Sequence, residues 1–169
     1  IIPRGRALGV TEQLPGDDHY HYSREYLMAR LAVMLAGRVA EEVAMDDITT
    51  GAENDLVEAT RLARRMVTRW GMGSLGPVAF QADEQQPFLG YELAQGRDFS
   101  EATAAQIDRD VQRVLQERHE VVQSLLTDAR DPLDRLVEAL LHEETIGQDE
   151  LAQVLGPRPE PVMKVAQKA

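Results

Sequence analysis

No cysteine occurs among the 169 residues, which rules out disulfides and thiol catalysis and fits a reducing compartment. Aromatic side chains are few, with one Trp, four Tyr and three Phe, so a core must be built from aliphatic residues. Cations are outnumbered: 18 Lys and Arg stand against 29 Asp and Glu, a net charge of −11. Binding to nucleic-acid backbones, which needs clustered Lys and Arg, is therefore not expected. The longest apolar run, Leu31-Ala32-Val33-Met34-Leu35-Ala36-Gly37, falls far short of the roughly 20 residues that span a bilayer, and no secretory signal is visible. A phosphate loop of the G-x-x-x-x-G-K-S/T type is missing, so the chain is not expected to bind ATP. No repeat with a period of about 20 to 50 residues is evident.

What the chain does have is helical period. Leu27, Leu31, Met34, Leu35, Val39 and Val43 recur at helical spacing and predict a helix over 23–45 capped by Ser23. Its small residues Ala36, Gly37 and Ala40 would let a neighbouring helix approach closely, or merely relieve crowding in the core. Leu56, Ala59, Leu62, Ala63, Met66 and Val67 predict a second helix over 52–70, ended by Gly71, Gly73, Gly76 and Pro77. A third runs from Ser100 to about 128, with Ile107, Val111, Val114, Leu115, Val122, Leu125 and Leu126 inward. Asp131 and Pro132 begin a fourth, bearing Leu133, Leu136, Val137, Leu140 and Leu141, and a short fifth follows over 149–155. Ile1-Ile2, 7–11 and Val78-Ala79-Phe80 read as short strands, and 81–99 as a loop in which Phe88 sits in an apolar island. From Gly156 the Pro-rich sequence reads as a disordered tail. The fold class these patterns give is mainly α, a helical bundle with a few short peripheral strands.

Two features invite a metal reading. His19 and His21 form a His-x-His that would point both rings to one side of a strand, but no third partner is apparent, and a loop leading into the Ser23-capped helix is the better account. The run Thr49-Thr50-Gly51-Ala52-Glu53-Asn54-Asp55 is more informative. Thr50 and Glu53 have the spacing of a capping box, so the run opens a helix and sets Asp55 near the positive end of its dipole. An ionised acid is favoured there, and it either complements the dipole alone or serves a metal or a polarised substrate.

Four blocks in order carry a resemblance: Ile1-Ile2-Pro3-Arg4-Gly5-Arg6-Ala7-Leu8-Gly9; Ala36-Gly37-Arg38-Val39-Ala40-Glu41-Glu42; Thr50-Gly51-Ala52-Glu53-Asn54-Asp55 with Ala59-Thr60, Ala63-Arg64, Met66-Val67-Thr68 and Trp70-Gly71-Met72; and Leu75-Gly76-Pro77-Val78. Together they resemble the peptidase domain of the FtsH family of membrane-bound, ATP-dependent zinc metalloproteases, over residues 1 to about 155. The resemblance implies a zinc metallopeptidase domain over 1–155, lacking its first helices, followed by the tail at 156–169. It implies one zinc ion in the complete domain with Asp55 as its third ligand, Glu41 able to hydrogen-bond near the site, and Leu8, Gly9 and Val10 on an edge strand that holds substrate by backbone pairing. For Leu8 to Val10 the alternative is an ordinary edge strand, and for Glu41 and Glu42 an exposed helical acid.

The same resemblance marks a departure. The family's zinc site needs a helix with His-Glu-x-x-His, two ligands and a general base, shortly before the Ile-Ile-Pro-Arg-Gly segment. One look-alike here is His142-Glu143-Glu144-Thr145-Ile146, with isoleucine where the second ligand is required. This chain alone is therefore expected to bind zinc weakly or not at all and to be inactive, as a portion cut from a longer enzyme. The parent would be a membrane-anchored homohexamer with its peptidase domain on the cytoplasmic side, an upstream module using ATP and magnesium, and unfolded or membrane proteins as substrates of zinc-assisted hydrolysis in protein quality control. A competing expectation is a non-catalytic oligomerisation module that keeps the family's helices without the catalytic one.

Overall fold

The computed structural model describes residues 22–80, 99–143 and 145–156. They divide into two compact units, one whose described residues lie between Tyr22 and Thr127 and one whose described residues lie between Asp128 and Gly156. The architecture is mainly α, in agreement with the periodicities, and no strand occurs among the described residues.

The first unit holds three helices, α1 (Arg24–Met45), α2 (Glu53–Thr68) and α3 (Glu101–Asp128, whose last residue falls at the boundary). Ser23 caps α1 by accepting the Tyr26 N–H at 3.1 Å, and Ser100 caps α3 by accepting the Thr103 N–H at 3.2 Å. Leu27, Leu31, Leu35 and Val39 repeat every four residues along α1 and are buried against Ala59, Ala63, Met66 and Val67 of α2 and Ile107, Val111, Val114 and Val122 of α3. Ala59 and Ala63 are fully buried, and it is these small residues of α2 that let α1 and α2 pack directly. Gly37 does not serve close packing among the described residues, because a Cβ there would meet nothing within 4 Å.

After α2 the chain reverses through a glycine-rich loop. The Met72 N–H donates to the Met66 carbonyl at 2.9 Å, and Gly71 adopts φ +60. A side chain at Gly71 would be strained by that angle and would put its Cβ 2.9 Å from the Gly76 carbonyl oxygen, so glycine is required there. Residues Val78 to Phe80, expected as a strand, have no strand partner among the described residues; the Phe80 N–H instead donates to the Thr68 carbonyl at 2.7 Å. That bond satisfies one of the free carbonyls at the end of α2, and the Phe80 ring then meets Phe99 edge to face at 5.4 Å, joining the loop to the start of α3. The segments 1–2 and 7–11, the His-x-His at 19 and 21, Phe88 and the tail from 157 lie outside the described residues.

The second unit contains α4 (Arg130–Glu143) and α5 (Gln148–Leu155), which pack on each other. The Glu150 carboxylate accepts the Gly147 N–H at 2.9 Å to start α5, and the Arg135 Nε donates to the Val154 carbonyl at 3.4 Å. No residue of α4 or α5 is buried, and Val137, Leu141, Leu151 and Leu155 are exposed. An eight-residue helix is too short to cover the apolar stripe of its partner within this unit. His142 is exposed in the last turn of α4, where the cationic form of a histidine would complement the dipole.

Candidate functional site

The turn between α1 and α2 is built from the sequence run that the blocks singled out. Asp46 ends α1 in the left-handed region at φ 52, a conformation that Asp tolerates better than most residues. The Asp47 carboxylate then accepts the Ile48 N–H at 2.7 Å. Thr49 follows with three hydrogen bonds. Its N–H donates to Glu41 Oε2 at 2.8 Å, its hydroxyl donates to Glu41 Oε1 at 2.8 Å, and the same hydroxyl oxygen accepts the Gly51 N–H at 3.1 Å.

That last bond caps a single 3₁₀ turn, Thr50–Ala52, which leads into α2. The capping box expected from Thr50 and Glu53 is therefore not what starts the helix. Thr50 lies inside the 3₁₀ turn, the hydroxyl one residue earlier does the capping, and the N-cap of α2 itself is Ala52, with no side-chain hydrogen bond. The physical reason is that an extra tight turn precedes the α-helix, which shifts the cap by one position.

Asp55 sits exposed in the first turn of α2. No described residue hydrogen-bonds to or pairs with its carboxylate, which stands near the positive end of the helix dipole. A catalytic zinc takes about three protein ligands, and a carboxylate oxygen is a suitable one. By its donor chemistry Asp55 fits one position of such a set. No group of three His, Cys, Asp or Glu gathers as a metal cluster among the described residues, so these residues fit a part of a zinc site and not the whole. Glu41 is half-buried with both oxygens committed to Thr49.

Glu42, the neighbouring acid, is not a freely exposed helical residue. Its carboxylate lies 3.3 Å from Arg38 Nε within α1 and 2.7 Å from His119 Nε2 on α3. A carboxylate paired with an arginine is an acceptor, so His119 Nε2 donates to it, and the buried Nδ1 has no hydrogen-bond partner among the described residues. This pair lines an open groove of about 700 Å³ between α1, the start of α2 and α3, together with Leu35, Arg38, Leu56 and Arg113 among others. Leu56, expected inward, is 38% exposed because it stands at this groove and not in the core.

Sequence reading also missed Asp110. It is 1% exposed in α3, and its Oδ2 accepts both the N–H and the hydroxyl of Ser74, at 2.7 and 2.8 Å, while its Oδ1 takes Arg113 Nη2 at 2.9 Å. Burial pushes this carboxyl up, but the Ser74 donors and the Arg113 guanidinium outweigh it and hold the group below the usual carboxylate range. The only signal in sequence is an acid at a position of the apolar stripe beside Val111.

Comparison with known proteins now defines the class. The model of Peptidase family M41 matches residues 1–154, and the chain belongs to that family. It is 53% identical over 162 residues to the ATP-dependent zinc metalloprotease FtsH 4 of Sphaerobacter thermophilus, covering 95% of this chain and 25% of that protein. It is 49% identical over 155 residues to the ATP-dependent zinc metalloprotease FtsH of Nitrosococcus oceani, covering 91% and 24%, and 48% identical over 160 residues to FtsH 4 of Sorangium cellulosum, covering 94% and 25%. The chain thus spans about a quarter of the length of these relatives, and the resemblance to FtsH peptidase domains holds across nearly all of it.

Proposed function

We propose that this chain is part of the peptidase domain of an ATP-dependent zinc metalloendopeptidase, and that Asp55 is the zinc ligand it contributes. The observation that carries the reading is the exposed carboxylate at the start of α2, unpaired among the described residues, in a chain of Peptidase family M41 whose relatives are named zinc metalloproteases. Zinc, when bound, supplies an activated water and a Lewis acid for peptide hydrolysis. This chain's share is to hold one carboxylate at the right place, and the domain extends over 1–155 with 156–169 as a tail. Leu8, Gly9 and Val10, outside the described residues, are proposed to pair with an extended substrate backbone. The two histidines and the glutamate base of a His-Glu-x-x-His helix are not in this sequence, so the chain taken alone is inactive in this reading.

The proposal extends by family resemblance to the whole protein: a homohexamer anchored in a membrane through a segment upstream, with the peptidase domain on the cytoplasmic side, ATP and magnesium used in an upstream module, and unfolded protein chains as substrates. No helix of the described residues is long and apolar enough to cross a membrane.

The test compares this chain with a form extended upstream through the His-Glu-x-x-His helix, each with and without Asp55→Ala. The extended form should bind about one zinc per chain and hydrolyse casein, and Asp55→Ala should abolish both. An extended form that assembles into a ring yet neither binds zinc nor cleaves would make this a scaffold with a protease-like fold.

A further inference from the structure

A carboxylate on the first turn of a helix is a well-placed ligand only if that turn is itself held still. Nothing within α2 does this, because its N-cap Ala52 makes no side-chain hydrogen bond, and the 3₁₀ turn before it is a geometry with poor hydrogen bonds of its own. Among the described residues, the hydrogen bonds that restrain it come from α1, through the Glu41 side chain. Thr49 donates its N–H and its hydroxyl to the two oxygens of Glu41 and accepts the Gly51 N–H on the same hydroxyl oxygen. The turn is closed so tightly around this contact that a Cβ on Gly51 would lie 3.2 Å from Thr49 Oγ1 and 3.6 Å from Glu41 Oε1.

We infer that Thr49, locked by Glu41, is a positioning residue for metal ligation by Asp55. The inference rests on the Asp55 reading above. Hydrogen bonds to an ionised carboxylate are short and strong, so the Glu41 pair fixes both the direction in which the chain leaves α1 and the orientation of the Thr49 hydroxyl. That hydroxyl then fixes the 3₁₀ turn from which α2, and with it Asp55, is launched. Valine at position 49 would keep the branched shape and the backbone N–H but lose both hydroxyl bonds, whereas serine would keep all three. Partners hydrogen-bonded directly to a ligand are typically worth about 10- to 100-fold in metal affinity, which sets the scale for a residue that acts on the ligand through its turn.

The experiment measures zinc affinity of the full-length protein by competition with a colorimetric chelator, for wild type, Thr49→Val, Thr49→Ser, Asp55→Ala and the core variant Val122→Ala. Thr49→Val should weaken zinc binding by roughly 10- to 100-fold, and Thr49→Ser should restore the wild-type value. Val122→Ala should lower the melting temperature and leave zinc affinity in place, which separates positioning from general loss of stability. Wild-type affinity in Thr49→Val, beside a loss in Asp55→Ala, would overturn the inference and leave the Asp55 reading standing. Wild-type affinity in Asp55→Ala would remove the reading and the inference together. If Thr49→Val does not fold, Glu41→Gln replaces it, read by zinc affinity and by hydrogen exchange of the Gly51 amide in the zinc-free protein. Both should change in that variant, and if neither does the inference fails.

Discussion

One oxygen of Asp110 receives both the backbone N–H and the hydroxyl of Ser74, two groups 36 residues away in sequence, at 2.7 and 2.8 Å. Gln106 Nε2 adds a bond to the Ser74 hydroxyl oxygen at 2.8 Å. The glycine-rich loop after α2 is thereby fastened to α3 by a buried charge, and Gly73 shows how close the fit is: a Cβ there would lie 2.7 Å from Asp110 Oδ2 and 3.0 Å from a methyl of Val67. Removing the carboxylate, itself 1% exposed, takes away three charge-assisted hydrogen bonds, two from the exposed Ser74 and one from Arg113. Asp110→Ala should therefore destabilise the protein by about 2–3 kcal/mol, and Gly73→Ala should also destabilise it by displacing the same carboxylate. Urea unfolding of both variants checks this; wild-type midpoints would show that the loop is not fastened here.

The same carboxylate sets an acid limit. Its pKa is held below the ordinary value in the folded protein, so folding favours the ionised form and the group contributes stability above its unfolded pKa, near 3.9. That contribution is lost as pH falls through the folded value, below about 4. Thermal melts across the acid range should show a decline in wild type that is shallower in Asp110→Asn. Parallel curves would remove Asp110 as a cause of acid sensitivity.

Two glycines should respond to alanine with opposite sign. Gly71 has φ +60 and no room for a Cβ beside the Gly76 carbonyl and Pro77, so Gly71→Ala should cost roughly 1–3 kcal/mol. Gly37 lies in the middle of α1 with open space around it, and Gly37→Ala should stabilise by up to about 1 kcal/mol through helix propensity. Melting temperatures of the two variants decide. Loss of stability in Gly37→Ala would show that this face of α1 is not open.

How much of this was legible in the sequence depends on how local each interaction is. The starts of α1 and α3 were readable because Ser23 and Ser100 cap amides three positions on. The core stripe of α1 was readable because Leu27, Leu31, Leu35 and Val39 follow one period. The cap before α2 falls on Thr49 and not on the expected Thr50, because two threonines stand side by side and only the three-dimensional path shows which of them meets Glu41. Leu125 has the period of an inward residue yet is 60% exposed, since periodicity marks a face of a helix but not how far along that face its partners extend. Asp55 was legible as a candidate because dipole, motif and family resemblance converge on it. Asp110, Ser74, Glu42 and His119 were not, because no local rule relates an acid to a donor dozens of residues away.

The Glu42–His119 pair, 77 positions apart at 2.7 Å, yields the last prediction. It ties α1 to α3 beside the groove, and its environment is only partly dry: the two side chains keep 20% and 25% of their exposure. Solvent screening limits such a pair to less than a buried bridge provides, but the packed imidazole and its contact with Glu42 should still couple the helices. A double-mutant cycle of Glu42→Gln and His119→Gln should give an interaction energy of about 0.5–1.5 kcal/mol and no change in zinc affinity, because Glu42 and His119 bond to each other and to Arg38 and not to Thr49 or Asp55 among the described residues. A coupling energy near zero would mean that α1 and α3 are held by their shared aliphatic core alone. A large change in zinc affinity would instead show that the groove and the Asp55 turn respond to each other through the last turns of α1, where Glu41 and Glu42 are adjacent.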